Sequence, residues 1–261
     1  TLVVAAGTDA AGGGPVLAFG GQDCPYAERL CFPESLVLHG AAAADPDAAL
    51  TYLQTQQNAD GGFGSGFSPD SAVGSTADAV LAIVAAGSDP ATFDQGGNTP
   101  VTYLAANAAA TATAGDLAKL IQAAVAVGEN PRTFGGVDNV AKLEALTGAD
   151  GQIGGEMDTF VSHVLAVLAL ISAQRPIPAG AVDLMTVAQQ ESGGWAWDGS
   201  AETAADTNTT AFVVQALIAA GEPADSEAVA QAMAYYASIQ NEDGGWPYQN
   251  PSDFGTATDA N

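Results

Sequence analysis

One pattern returns along this chain at a near-constant interval, and a recurring pattern constrains a fold more than any single residue does. Apolar, helix-like runs end in small residues, then Gly, then an acid or Pro: Ala85-Ala86-Gly87-Ser88-Asp89-Pro90, Ala126-Val127-Gly128-Glu129-Asn130-Pro131 and Ala219-Ala220-Gly221-Glu222-Pro223. Gly just past a helix end takes the left-handed conformation cheaply, and Pro beyond it prevents continuation. Gly87 and Gly128 are 41 residues apart and Gly128 and Gly221 are 93 apart, which leaves room for one further stop at Ser172-Ala173-Gln174-Arg175-Pro176. Weaker stops at Gly7-Thr8-Asp9 and from His39-Gly40 to Asp45-Pro46 bring the number to six. A repeat of about 40–47 residues holds two helices and two turns, so each unit reads as a helical hairpin.

The second turn of each unit has its own signature. Gln57 to Phe63, Gln189 to Trp195 and Gln240 to Trp246 all fit Gln-x3-Gly-x-aromatic, and Thr147 to Ile153 is a degenerate copy. The Gln closes one helix and can bond orphan backbone groups at a helix end; the glycines allow a tight turn; the aromatic packs over the junction. The helix after each such turn is the more apolar one. Thr209 to Ala219 and Phe160 to Leu170 are apolar nearly all round, whereas Ala228 to Gln240 and Val137 to Thr147 are mixed. A helix apolar on every side is buried and one with a polar stripe faces water, so inner and outer helices alternate.

These phased motifs resemble the QW repeats of squalene/hopene cyclases and of the related prenyltransferase β-subunit fold, over most of residues 46–261. The resemblance implies an all-α fold, an α/α toroid of about six hairpins. It implies one domain over residues 1–261, with an irregular first repeat at 1–45 and regular hairpins at 46–261. Its chemistry transfers poorly. Class II cyclases of the family use an Asp-x-Asp-Asp acid. The closest strings here, Asp45-Pro46-Asp47-Ala48 and Asp206-Thr207-Asn208, lack the paired acid. The family's prenyltransferases hold zinc through Asp, Cys and His and diphosphate through bases. The repeats contain no Cys, and the basic residues are only Arg29, Lys119, Arg132, Lys142 and Arg175. The magnesium-binding Asp-Asp-x-x-Asp is also missing, as is the Cys of a thioester domain.

Charge narrows the partners. With 30 acidic residues against 5 basic ones the net charge is −25, which disfavours nucleic acid and anionic membrane surfaces. No run of about 18 apolar residues is present to insert in a membrane. Cys24 and Cys31, in a Pro-bearing stretch without a nearby His, suit a local disulfide better than zinc, a free buried pair being the alternative. A disulfide favours a secreted or cell-surface setting. Residues 1–20 lack a basic signal start, so any export signal is expected upstream of Thr1.

Several residues have both a functional and a structural reading. Asp198, Asp206 and Asn208 could bind calcium, the one cofactor the sequence suggests, with Asp60, Asp243, Asp253, Asp259 and Asn261 in similar turns; capping of helix N-termini is the alternative. His163, inside a very apolar inner helix, could contact a ligand or be a satisfied core histidine. Trp195, Trp197, Trp246 and Tyr248 could stack a flat ligand or simply pack the turns. Residues 1–9 look like the tail of an inner helix and 256–261 like the head of one. They could form a split hairpin within one chain or between chains head to tail, or the chain could be a fragment. The expected function is a noncatalytic extracellular module for ligand binding, protein binding or surface assembly. The alternatives are a cyclase or prenyltransferase-like enzyme and a cobalamin-type carrier.

Overall fold

The computed structural model describes residues 5–7, 16–18, 45–242 and 244–249. Among them are nine α-helices and one two-stranded ladder. The helices are α1 (Pro46–Gln56), α2 (Val73–Ala85), α3 (Pro100–Asn107), α4 (Ala114–Ala126), α5 (Asn139–Glu144), α6 (Phe160–Ser172), α7 (Ala181–Val187), α8 (Thr207–Ala220) and α9 (Glu227–Ile239). In chain order, mixed helices alternate with apolar ones, and α2 packs against α3 and α4, α4 against α5, and α8 against α7 and α9. The apolar helices α2, α4 and α8 are the more buried. Nine residues of α8, seven of α4 and five of α2 are buried, against none in α1, two in α3, three in α5, two in α7 and four in α9. The expected alternation of apolar and mixed helices is thus present as a difference in burial.

The expectation of an inner-helix tail at residues 1–9 is corrected. Ala5–Gly7 is a strand (β1), paired antiparallel with Val16–Ala18 (β2) in the register Ala5↔Ala18. The β-branched Val3, Val4 and Val16 favour extended backbone, and Gly12-Gly13-Gly14-Pro15 between the paired segments is a sequence in which a helix cannot continue. Gly7 is therefore not a helix stop. Cys24, Cys31, His39, Asp243, Asp253, Asp259 and Asn261 lie outside the described residues.

The described helices fall into two compact units, Asp45–Asp158 with Leu165–Pro178, and Thr159–Val164 with Ala179 onward. In the first, Ala77, Val80, Leu104, Leu120, Ala123, Ala124 and Phe134 form one core where α2, α3 and α4 meet. Phe63, Ala79, Ile83 and Phe93 form another beneath α1, which contributes Leu50 and Leu53. In the second, Ala205, Tyr235 and Ile239 pack with Trp246. Among the described residues no helix is long and apolar enough to cross a membrane.

The stops are built alike. After α2, the Ser88 N–H donates to the Ile83 carbonyl and Gly87 to Val84; after α4, Glu129 donates to Ala124 and Gly128 to Val125; after α8, Glu222 donates to Leu217 and Gly221 to Ile218. Each is a Schellman closure around a left-handed residue, with φ of 75° at Gly87, 77° at Gly128 and 108° at Gly221. After α6 the same bonds run from Arg175 to Leu170 and from Gln174 to Ile171. Here the left-handed residue is Gln174, at φ 56°. A Cβ in this conformation costs about 1 kcal/mol relative to glycine.

The α3–α4 connection lacks the Gln motif and is held differently. Lys142 of α5 reaches the α3 end, where its Nζ donates to the carbonyls of Ala108, Ala109 and Thr111 at 3.0, 3.1 and 2.5 Å. A cation thus satisfies carbonyls that the α3 terminus leaves unpaired.

Two stability predictions follow from these closures. Gln174→Gly removes the Cβ strain at the α6 stop, and thermal or urea unfolding should show a gain of about 0.5–1 kcal/mol. Lys142→Met keeps the aliphatic stem and strips three carbonyls of their donor, and the same measurement should show a loss of about 1.5–3 kcal/mol.

Candidate functional site

The repeated turn is the natural place to look, because it gathers most of the side chains singled out in the sequence. Gln57 Nε2 donates to the Gly61 carbonyl of its own turn at 3.0 Å and to the Phe93 carbonyl ahead of α3 at 2.9 Å. Gln189 Nε2 does the same to Gly193 at 2.9 Å and to Ala228, in the first turn of α9, at 2.8 Å. The motif glycine is left-handed in all four copies, with φ of 87° at Gly61, 90° at Gly151, 88° at Gly193 and 87° at Gly244. A Cβ at Gly61 would stand 2.7 Å from the Thr99 carbonyl oxygen, and one at Gly193 2.3 Å from that of Gln231. Only glycine lets the following outer helix approach this closely.

Beneath two of the four turns is a threonine that sequence inspection did not single out. The Phe63 N–H donates to Thr76 Oγ1 at 2.9 Å and the Trp195 N–H to Thr210 Oγ1 at 3.0 Å. Both threonines are fully buried, each four residues into its helix from Ala72 or Asp206. His163 stands at the same distance from Thr159. It is 1% exposed, and its Nε2–H donates to the Ala181 carbonyl at 3.0 Å, with the Phe160 ring 6.4 Å away. The structure therefore places His163 in a buried backbone-binding position.

The second unit concentrates its aromatic and acidic groups ahead of α8. The Asp206 N–H donates to the Trp195 carbonyl, and the Thr207 N–H to that of Tyr248, so the 204–207 segment runs between two motif turns. Tyr235 Oη donates to the Ala205 carbonyl at 2.9 Å, Tyr236 Oη to that of Thr207 at 2.5 Å, and Gln249 Nε2 to that of Ala204 at 3.1 Å. Asp206 is 1% exposed and caps α8: its Oδ1 accepts from the Thr209 N–H at 2.7 Å and its Oδ2 from Thr209 Oγ1 at 2.8 Å. Burial raises its carboxyl above the usual range, outweighing the bonds from Thr209, Asn208 and Trp197 that oppose the shift. Burial, then the nearby Asp206, pushes the Tyr235 phenol up to about 12, and burial raises the Tyr236 phenol too. Both phenols stay protonated at ordinary pH and keep their donated bonds.

The four candidate aromatics separate on this framework. Trp195 is fully buried and its indole N–H donates to the Met185 carbonyl at 2.7 Å. Trp246 is half-buried, donates to the Tyr236 carbonyl at 3.0 Å and meets the Tyr236 ring edge-on at 5.6 Å. Tyr248 is half-buried and lends its carbonyl to Thr207. Trp197 alone of the four presents an exposed ring, at 46%. Asp198 accepts from the Ser200 N–H at 3.0 Å and from Thr203 Oγ1 at 2.6 Å. Burial would raise its carboxyl, but these bonds win and hold it below the usual range. Asp198 and Asp206 thus serve separate local networks. Asn208 lies in the first turn of α8. Among the described residues no group of three His, Cys, Asp or Glu side chains is gathered to hold a metal.

The four described cations are also engaged. Lys119 pairs with Asp78 at 2.7 Å, Arg132 with Asp138 at 2.8 Å and Arg175 with Glu144 at 2.7 Å, while Lys142 holds the three carbonyls given above.

The raised carboxyl of Asp206 has a testable consequence. A folded chain that retains this proton longer than the unfolded chain loses stability as pH rises, from about 3.9 through the raised value. Asp206→Asn keeps a cap oxygen for the Thr209 N–H, and the Thr209 hydroxyl can turn to accept from the new amide. Melting curves from pH 3.5 to 7 should show the variant gaining on the parent as pH rises; parallel curves would contradict the assignment.

Comparison with known families adds two matches. Residues 151–258 match the squalene-hopene cyclase C-terminal domain, and residues 29–115 match the prenyltransferase alpha-alpha toroid domain. No curated protein matches the chain.

Proposed function

The chain belongs to the terpene-cyclase/prenyltransferase-like toroid family and is of its all-α toroid class, and within that family we propose that it is a noncatalytic extracellular or cell-surface module that binds a ligand or a protein partner. The observation that carries this reading is the commitment of Asp206. Of the strings most like a cyclase's Asp-x-Asp-Asp, the one that opens an apolar helix, Asp206-Thr207-Asn208-Thr209, lacks the paired acid. A general acid must present a proton to bound substrate. This lone carboxylate is 1% exposed and both of its oxygens accept bonds from Thr209. The four described cations are each tied to a protein acceptor, so none of them stands free for a prenyl diphosphate. The extracellular part of the proposal rests on the −25 charge and on the disulfide read for Cys24 and Cys31. The exposed Trp197 is the aromatic best placed to stack a flat ligand.

One feature favours a catalytic reading, namely the burial that raises the Asp206 carboxyl, since an alkene-protonating acid must hold its proton. Incubation of the purified chain with squalene and with geranylgeranyl diphosphate separates the two. No cyclised or prenylated product is expected by mass spectrometry, whereas product that disappears in Asp206→Asn would establish an enzyme. In the native host the protein is expected in the medium or open to protease on intact cells, with Cys24 and Cys31 refractory to iodoacetamide until reduced. Cytosolic protein with both thiols alkylated would overturn the compartment.

A further inference from the structure

We infer that the loops at 64–71 and 154–158 together form a docking face for a protein segment that carries apolar side chains among lysines or arginines. The chain is described without a break through Asp45–Asp158, and both loops lie within that one compact unit. Each follows a copy of the motif turn and precedes an apolar helix, α2 or α6. Asp158 Oδ1 accepts from the Gly115 N–H, at the start of α4, at 3.2 Å. Asp116 of α4 lies against Gly74 of α2, where a Cβ would stand 2.8 Å from its Oδ1. The N-terminal ends of α2 and α4 and the segment ahead of α6 are therefore neighbours, and both loops emerge at this end of the unit.

Each loop is closed by polar bonds and holds an apolar side chain out in solvent. In the first, Ser65 Oγ accepts from the N–H groups of Phe67 and Ser68 at 3.2 and 3.1 Å. The Ser65 N–H donates to the Ser68 carbonyl at 2.8 Å, and Asn58 Nδ2 donates to that of Pro69 at 2.9 Å. Phe67, at the tip, is fully exposed. In the second, Asp158 Oδ2 accepts from the Gly155 N–H at 2.9 Å, and the Asp158 N–H returns to the Gly155 carbonyl at 3.0 Å. Met157 between them is 87% exposed. Both loops hold their shape without these two side chains, which therefore add nothing to the fold. A tip fixed in advance offers its side chain to a partner at little ordering cost, and aromatic anchors with adaptable methionines are what binding surfaces use.

Charge selects the partner. Asp60, Asp70, Asp78, Asp116, Glu156 and Asp158 belong to this end of the unit, Asp60 through the Ser71 hydroxyl that donates to its Oδ1 at 2.7 Å. The lysines that reach it are engaged, Lys119 with Asp78 at 2.7 Å and Lys142 with the carbonyls ahead of α4. A second copy of this chain, of net charge −25, and an anionic lipid surface are both repelled. Cationic side chains beside an apolar face complement the acids and the two anchors together.

This inference deepens the proposed function and rests on its protein-partner reading; the product assay above decides catalysis, and a peptide titration decides this face alone. The full chain is titrated at low and high salt with a dye-labelled synthetic amphipathic helix of leucine and lysine. Two control peptides carry serine in place of the leucines or glutamine in place of the lysines. The leucine–lysine peptide should bind, less tightly at high salt, and each control should bind about tenfold or more weakly. Phe67→Ser and Met157→Ser leave the charge unchanged and remove only exposed side chains, so both should melt with the parent. The double variant should bind the peptide about tenfold or more weakly. Tyr52→Ser, which alters an exposed aromatic of α1 outside both loops, should bind as the parent does. Undiminished affinity in the double variant, or for the serine control peptide, would overturn the proposal. So would flotation of the parent with phosphatidylcholine vesicles that the double variant loses, since the face would then be a lipid anchor.

Discussion

A side-chain amide that holds backbone carbonyls in two successive repeats is the interaction on which this array depends. A single helical hairpin cannot bury its apolar face alone, so it must be fastened to its neighbour at a fixed distance. The amides of Gln57 and Gln189 do this by bridging their own turn to the approach or start of the next outer helix. The fastening works only because the glycine four residues later is left-handed and has no Cβ, which would otherwise stand 2.7 or 2.3 Å from a neighbouring carbonyl oxygen. Thr76 and Thr210 complete the joint from beneath, each accepting from the backbone of the motif aromatic.

Departures from this joint show what it must supply. At the α3–α4 connection, where the motif is missing, Lys142 reaches back from α5 to satisfy three carbonyls, so a cation does the work of an amide. In the degenerate copy, Thr147 and Ile153 keep the antiparallel bridge of the turn, and Gly148 and Gly151 keep its backbone bonds. At the α6 stop Gln174 adopts the conformation its glycine counterparts take, with the Schellman closure intact. Backbone hydrogen bonding is retained through each of these substitutions, and the side chains vary around it.

The use of scarce charges follows the same economy. With 5 basic residues in the whole chain, the four described ones each serve a structural partner. Asp206 commits both carboxylate oxygens to Thr209, and the tyrosines beside it donate to backbone carbonyls. Asp206 is thus a helix cap, laced between two turns.

The sequence by itself determined the repeat: its stops, its turn glycines, the alternation of apolar and mixed helices, and the family. These are legible because left-handed backbone and helix periodicity leave local residue patterns. It also showed that the paired acid was missing, since that is a matter of residue identity. Only the tertiary structure decided how the candidate residues are spent. Burial and bonding of Trp195, His163 and Asp206 depend on residues such as Met185, Ala181 and Thr209, and no pattern within one helix announces which carbonyl a side chain will find. Tyr235, Tyr236 and Lys142 were not legible for the same reason, because their partners lie 29 to 34 residues away in sequence. The strand at Ala5–Gly7 was misread as helix because three alanine-rich residues carry no periodicity, and their conformation is set by pairing with Val16–Ala18. Local backbone chemistry wrote the repeats into the sequence; contacts made across repeats gave each polar side chain its role.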